Sequence, residues 1–208
     1  MFINLRNIAV ISTLVLAGLV SAKANTLTPG QTAAPDQLFP NGSNLVVKTG
    51  TATGTGFTDT YTAGVYADNS NPFCAGCLDF YFIFTNNGPG NNERFTASNF
   101  SDFLTDVGIH GPGGVNNPGT VDRSSDGSVI GFNYTGSGVL SSGKTTNILI
   151  IATNATQYGT GTFSIQDGLD GSKVTVAGFE PVPEPTSLAL FGTGVLSLVG
   201  MAKRKFFA

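Results

Sequence analysis

The sequence predicts an all-β protein, an antiparallel β-sandwich or jelly-roll-like domain, and three observations carry that expectation. Charged residues make up only 11% of the 208-residue chain, glycine is abundant at 28 residues, and tryptophan is absent. Between the two ends of the chain no stretch repeats Ala, Leu, Glu, Lys and Arg at the i, i+3, i+4 spacing that an amphipathic helix needs. What recurs is short alternating apolar runs between clusters of Gly, Asn, Asp and Pro, the pattern of strands joined by tight turns. The expected domain is flanked by an N-terminal signal peptide and a C-terminal single transmembrane helix.

Residues 1–24 read as the signal peptide. Arg6 supplies a short positive region, 8–20 form an apolar run, and Ala22 and Ala24 put small residues at the two positions that signal peptidase reads. That run is short against the roughly 20 residues needed to cross about 30 Å of hydrocarbon, which favours a cleaved leader over a retained anchor. Residues 25–43 are polar, carry Pro29, Pro35 and Pro40, and read as a linker or edge segment. The span 44–180 is expected to form one domain, long enough for its own core and too short for two.

Within it, the clearest strand is 78–85. Leu78, Phe80, Phe82 and Phe84 alternate with Asp79, Tyr81, Ile83 and Thr85, so one face is apolar throughout and the strand belongs in the middle of a sheet. Further strands are expected at 45–49, 57–66, 94–100, 103–109, 129–134, 147–153, 162–166 and 173–179, with turn-forming clusters at 86–92, 110–119, 124–127 and 167–171. Short strands at that spacing predict a sandwich. No fixed internal period points to a solenoid or propeller. Residues 180–185, with Pro181, Pro183 and Pro185, read as a second linker or edge.

Residues 138–145 satisfy the phosphate-loop pattern of Gly, four residues, then Gly, Lys and Thr. That loop works by opening a helix whose N-terminal amides hold phosphate, whereas 146–153 is Ile-rich and β-favouring. The segment therefore reads as a hairpin turn, and no nucleotide is expected. Cys74 and Cys77 are spaced CxxC. A redox site of that spacing needs the first cysteine at a helix N-terminus, and zinc needs two further ligands where the chain offers one histidine, His110. A local disulfide pinning the turn 73–77, formed in an oxidising compartment, is the expected pairing.

A single histidine and the lack of a GxSxG elbow remove most routes to triad chemistry. Among the carboxylates, Asp79, Glu93, Asp102, Asp106, Asp122, Asp126, Asp167 and Asp170 are candidates for a glycosidase pair. Most stand beside Gly, Asn or Ser, where a carboxylate caps a turn. No cofactor is expected; calcium is the one remaining candidate, at Asp122 with Asp126 or Asp167 with Asp170. The aromatic residues Phe57, Tyr61, Tyr66, Tyr81, Phe95, Phe100, Phe132, Tyr134 and Tyr158 are spread over strands and loops and are expected mainly in core packing, with stacking on sugars as the alternative. The net charge of −3 leaves no electrostatic footprint for nucleic acid.

The end of the chain has three parts: Pro183, Glu184 and Pro185; an uncharged apolar run at 186–202; and Lys203, Arg204 and Lys205. The run lies at the short end of the range for a spanning helix, and Lys203 lengthens it by snorkelling. The basic cluster acts as a stop-transfer signal that stays cytoplasmic, which places 25–180 outside. This ending, over about 181–205, resembles the PEP-CTERM signal of exported bacterial proteins. The resemblance implies that exosortase reads Pro183, Glu184 and Pro185 after signal peptidase has acted. It implies export across the inner membrane, a transient membrane anchor, and a final place at the cell surface or outside the cell, in association with exopolysaccharide or the envelope. The expected function is that of a non-enzymatic surface or matrix protein. The alternatives are a carbohydrate-binding module of the β-sandwich type and, behind it, a polysaccharide-active hydrolase.

Overall fold

The computed structural model describes residues 25–111, 117–135, 138–167 and 172–184. The expected signal peptide with Ala22 and Ala24, the transmembrane helix 186–202, and the residues Asp170, Pro185, Lys203, Arg204 and Lys205 lie outside the described residues. Among those described, twelve strands follow in order: β1 (Thr32–Ala33), β2 (Asp36–Gln37), β3 (Gly42–Gly54), β4 (Phe57–Asp68), β5 (Cys77–Pro89), β6 (Arg94–Ser98), β7 (Thr105–His110), β8 (Thr120–Arg123), β9 (Val129–Asn133), β10 (Ile148–Thr153), β11 (Gln157–Asp167) and β12 (Ser172–Val182).

They build two six-stranded sheets. Sheet A runs β1-β8-β9-β6-β11-β12 and sheet B runs β2-β7-β10-β5-β4-β3. Pairing is antiparallel except where β2 lies parallel to β7. The all-β expectation holds, and each expected strand has its counterpart. The segment 25–43, expected as linker or edge, supplies the short edge strands β1 and β2 and the start of β3. Strand β12 continues through Pro181 to Val182, beyond the expected domain limit. Proline is tolerated there because β12 is the last strand of its sheet.

The segment 138–145 is a turn, with Gly143 at φ 76°, and no helix follows it, since β10 begins at Ile148. It is not a hairpin. It carries the chain from β9 in sheet A to β10 in sheet B, touching Asn92 through Leu140 and Thr85 through Thr145 on the way.

The core lies between the sheets because alternation turns one face of every long strand inward. On β5 the inward residues are Phe80, Phe82 and Phe84, all at most 3% exposed. Phe84 stacks on Phe95 of β6 with ring centroids 4.0 Å apart. Phe163 of β11 meets Tyr61, Phe82 and Phe84 edge-on at 4.9, 5.4 and 5.3 Å. Such contacts add about 0.5–1.5 kcal/mol per pair beyond area burial, and they join the two sheets across the middle of the sandwich.

One end of the sandwich is closed by Arg123, a buried cation. Its Nε donates to Gly127 O at 3.0 Å, Nη1 to Leu27 O and Thr105 Oγ1 at 3.1 Å each, and Nη2 to Phe100 O and Phe103 O at 2.7 and 2.9 Å. The guanidinium fork thereby ties the N-terminal segment, the loop after β6 and the β8–β9 hairpin to one point. Ahead of β5, Cys74 and Cys77 are joined as a disulfide with Cα atoms 5.3 Å apart. Asn71 Oδ1 accepts from Phe73 N at 2.8 Å and holds the approach to the same turn.

Candidate functional site

The outer face of sheet B follows from the same alternation that fills the core. With Phe80, Phe82 and Phe84 turned inward, β5 presents Asp79, Tyr81, Ile83 and Thr85 outward. Strand register then sets ranks across the sheet. Tyr66 lies beside Asp79, Asp79 beside Ala152, and Ala152 beside Asp106. In the next rank Gly64 lies beside Tyr81, Tyr81 beside Ile150, and Ile150 beside Gly108.

Gly64 is a socket for the Tyr81 ring. A Cβ there would stand 2.4 Å from Tyr81 Cζ, so the tyrosine lies down on the sheet only because the site is glycine. Gly108 does the same for the chain itself: a Cβ would stand 2.3 Å from Asp36 O, where the strap formed by β2 and residues 38–41 crosses. The strap is fastened along its length. The His110 Nδ1–H donates to Leu38 O at 2.9 Å, Ser70 Oγ donates to Phe39 O at 3.0 Å, and Asn41 N donates to Asp68 Oδ1 at 2.6 Å. Phe39 meets His110 edge-on at 5.5 Å and stays 70% exposed.

Two cavities open beside the strap and share Asp79. One, of about 370 Å³, is lined by Asn44, Thr62, Tyr66, Tyr81 and His110 with Asp79. The other, of about 430 Å³, is lined by Asp36, Asp68, Asp79 and Asp106 with Asn25 and Phe39. Beyond the first, the sheet carries a threonine platform. Thr49 lies beside Thr62, Thr51 beside Thr60 and Thr53 beside Thr58 on the β3–β4 hairpin, and Thr60 lies beside Thr85.

Burial pushes the Asp79 carboxyl up to about 8; the neighbouring Asp68 charge adds to the rise, and the Asn71 amide at 2.9 Å opposes it. Burial and the facing Asp36 carboxyl hold Asp106 well above the usual carboxylate range, against two backbone amides that favour its charged form. Asp106 is 4% exposed, and its Oδ1 finds no hydrogen-bond partner among the described residues.

The other expected site residues are placed apart from this face. Asp122 is bound by Arg94, with Nη2 to Oδ1 at 2.8 Å, and the guanidinium holds its carboxyl below the usual range. Asp126 accepts from Ser124 Oγ and Ser128 Oγ and caps the β8–β9 turn. Asp167 is buried in β11. Among the described residues no group of three or more His, Cys, Asp or Glu side chains is arranged to hold a metal ion. Of the aromatic residues, Tyr61 and Tyr134 belong to the core, while Tyr66 and Tyr81 are half-buried in the groove. Asp36 and Phe39 escaped the sequence reading because the strap that carries them reads as linker, and Asp68 because it lies past the expected end of its strand at residue 66. The threonines did leave a signal: alternate positions 49, 51, 53 and 58, 60, 62 on either side of the turn at Gly56.

At the far end of β12, Val182 pairs with Gln157, and Thr156 Oγ1 donates to Glu184 Oε1 at 2.8 Å. Pro183 and Glu184 thus follow the sheet with no spacer. A family model described as the PEP-CTERM protein-sorting motif matches residues 181–205. Neither the curated proteins nor the solved structures contain a match.

Proposed function

We propose that this chain, which carries a PEP-CTERM sorting motif at 181–205, is a non-enzymatic surface protein whose sheet B groove holds exopolysaccharide, in the manner of a β-sandwich carbohydrate-binding module. The motif supports export and exosortase sorting. In this reading signal peptidase removes the leader after Ala24, the inner membrane holds the tail transiently, and exosortase acts at Pro183, Glu184 and Pro185. The remaining chain then stays at the cell surface or leaves it.

The observation that carries the glycan reading is the groove itself. Tyr66 and Tyr81 offer flat apolar rings to the faces of a sugar, and Asp79, Asn44 and His110 stand around them to bond its hydroxyls. The threonine platform extends that hydrogen-bonding surface along the direction a chain would take. Mostly pre-formed sites of this kind cost little ordering on binding.

The test is calorimetric titration of neutral oligosaccharides into the full chain in detergent, alongside Tyr81→Ala. We expect measurable affinity that falls about tenfold in the variant, equivalent to about 1.4 kcal/mol. No binding by any oligomer sinks the reading, and release of new reducing ends moves the protein to the hydrolases. Sorting is tested separately by replacing Pro183, Glu184 and Pro185 with alanine in a host that has exosortase. The mature mass should change, and an identical C-terminus in both versions would refute sorting.

A further inference from the structure

We infer that the acidic cavity under the strap seats the chain's own N-terminal ammonium, a group that exists only once the leader is removed, so that processing locks the strap; this rests on the reading of residues 1–24 as a leader cleaved after Ala24. Cleavage there turns the backbone N of Asn25 from an amide into an α-ammonium, which is charged at neutral pH because such groups titrate at about 7.7–8.0. That nitrogen already stands at the cavity. Its N–H donates to the Asp106 carboxylate, and Asn25 Nδ2 donates to Asp36 Oδ1 at 3.1 Å.

The fold fixes this position independently of the carboxylates. Leu27 is 2% exposed and fastened to the start of β7: its N donates to Thr105 O at 2.8 Å, and its O accepts from Thr105 Oγ1 at 3.2 Å and from Arg123 Nη1 at 3.1 Å. A chain pinned at residue 27 carries residue 25 no more than about 7 Å away. The first residue of the processed chain is therefore held beside β7, whereas most termini are free.

Charge supplies the driving force. Asp36 of β2, Asp68 at the end of β4, Asp79 of β5 and Asp106 of β7 line the cavity, and no Lys, Arg or His side chain does. While residue 25 is an amide, Asp36 and Asp106 face each other with no cation to separate them, and Asp106 is pushed toward its protonated form. Cleavage puts a cation within reach of both. Its bonds to carboxylate become charge-assisted, roughly twice as strong as neutral ones. It also has three N–H donors where the amide has one, and Asp106 Oδ1, which has no hydrogen-bond partner among the described residues, is an acceptor for one of those added. Asn25 is exposed, so the ammonium keeps water on its open side, while Asp106 at 4% exposure exchanges burial without a countercharge for burial with one. Asp106 then takes up a proton on folding only in the unprocessed chain. Asp36 belongs to the strap, so the same ammonium draws strap and β7 together and closes the fold after export.

The test uses the full chain, produced in an exporting host and purified in detergent, with its first residue read by mass spectrometry. A companion chain has a threonine and a glutamine inserted between Ala24 and Asn25. It keeps the Asn25 amide and moves the ammonium two residues away. The α-amine is titrated through the pH dependence of its acylation. In the parent it should titrate about one pH unit above the ordinary range, a roughly tenfold smaller free-amine fraction at neutral pH, and it should return to that range in the companion and in Asp106→Asn. The groups facing it are Asp36, Asp68, Asp79 and Asp106. An amine raised in this way stabilises the fold below its ordinary value, and that gain is lost as pH climbs through the raised one. The urea midpoint of the parent should therefore exceed that of the companion at about pH 7, and the difference should be gone near pH 10. Between Asp106→Asn versions of the two chains the difference should vanish, and Asp36→Asn should shrink it. In a chain that begins at Asn25, an amine titrating in the ordinary range, or equal midpoints for parent and companion at neutral pH, overturns the inference and leaves the cleavage reading standing. A mature chain that begins at any other residue overturns the cleavage reading and the inference with it.

Discussion

A buried guanidinium usually stands against a carboxylate, but that of Arg123 is satisfied by four backbone carbonyls and one threonine hydroxyl. Lysine has three donors on a single point and cannot reproduce a five-donor planar fork. Arg123→Lys should therefore leave buried carbonyls unpaired and cost about 3 kcal/mol, read from the urea midpoint; a loss under about 1 kcal/mol would show that the fork is replaceable. Tyr134 is the reverse case. Its ring packs edge-on to Phe95 at 5.4 Å while its Oη has no partner among the described residues. Tyr134→Phe keeps the ring and removes the orphaned hydroxyl, so stability should hold or rise by about 1 kcal/mol. At this scale the sequence showed some roles and hid others. Asp126, between Gly and Ser residues, caps a turn as its neighbours suggest. Asp79 was visible as an outward residue of a central strand. Nothing in residues 78–85 says that Asp68 would face it from the neighbouring strand end, or that Asp36 and Asp106 would close the same cavity.

Strand β5 was the most legible element, because four apolar residues at a period of two admit only one buried face. Strands β1, β2 and β8 were not anticipated, for a physical reason. Each has four residues or fewer, too few to leave a periodic pattern of its own; β1 and β2 are held by strands remote in sequence, and β8 by β1 and by the hairpin it forms with β9. The segment 138–145 reads as a turn from its glycines, but whether a turn joins neighbours or crosses between sheets depends on the partner strands. The groove shows how an element's detail carries function: Tyr81 lies flat because β4 offers no side chain at Gly64. Gly64→Ala would force the ring off the sheet, at a cost of about 1–3 kcal/mol from overpacking. Neutral-oligosaccharide affinity should fall with it. If affinity survives while stability drops, the flat ring is a packing feature and not part of the binding surface.

For the molecule as a whole, the raised carboxyls set how stability changes with pH. Burial raises Asp79 to about 8 and Asp59 to about 6, the latter opposed by the Asn92 amide that donates to both its oxygens at 2.7 and 2.8 Å; Asp106 is raised by burial and by Asp36. In the unfolded chain all three revert toward the ordinary aspartate value of 3.8. Between about pH 4 and 8 the folded protein therefore binds more protons than the unfolded one, and the slope of stability with pH is negative. Asp122, lowered by Arg94, acts in the opposite sense and only near and below pH 4, where its protonation removes stability. The urea midpoint should accordingly fall as pH is raised from about 5 to about 8 and level off above it. Asp79→Asn, which keeps the shape and the Asn71 contact but cannot ionise, should flatten the upper part of that fall and leave the part below about pH 6, where Asp59 titrates. A midpoint that rises through the same range would mean that these carboxyls are charged and matched in the native state.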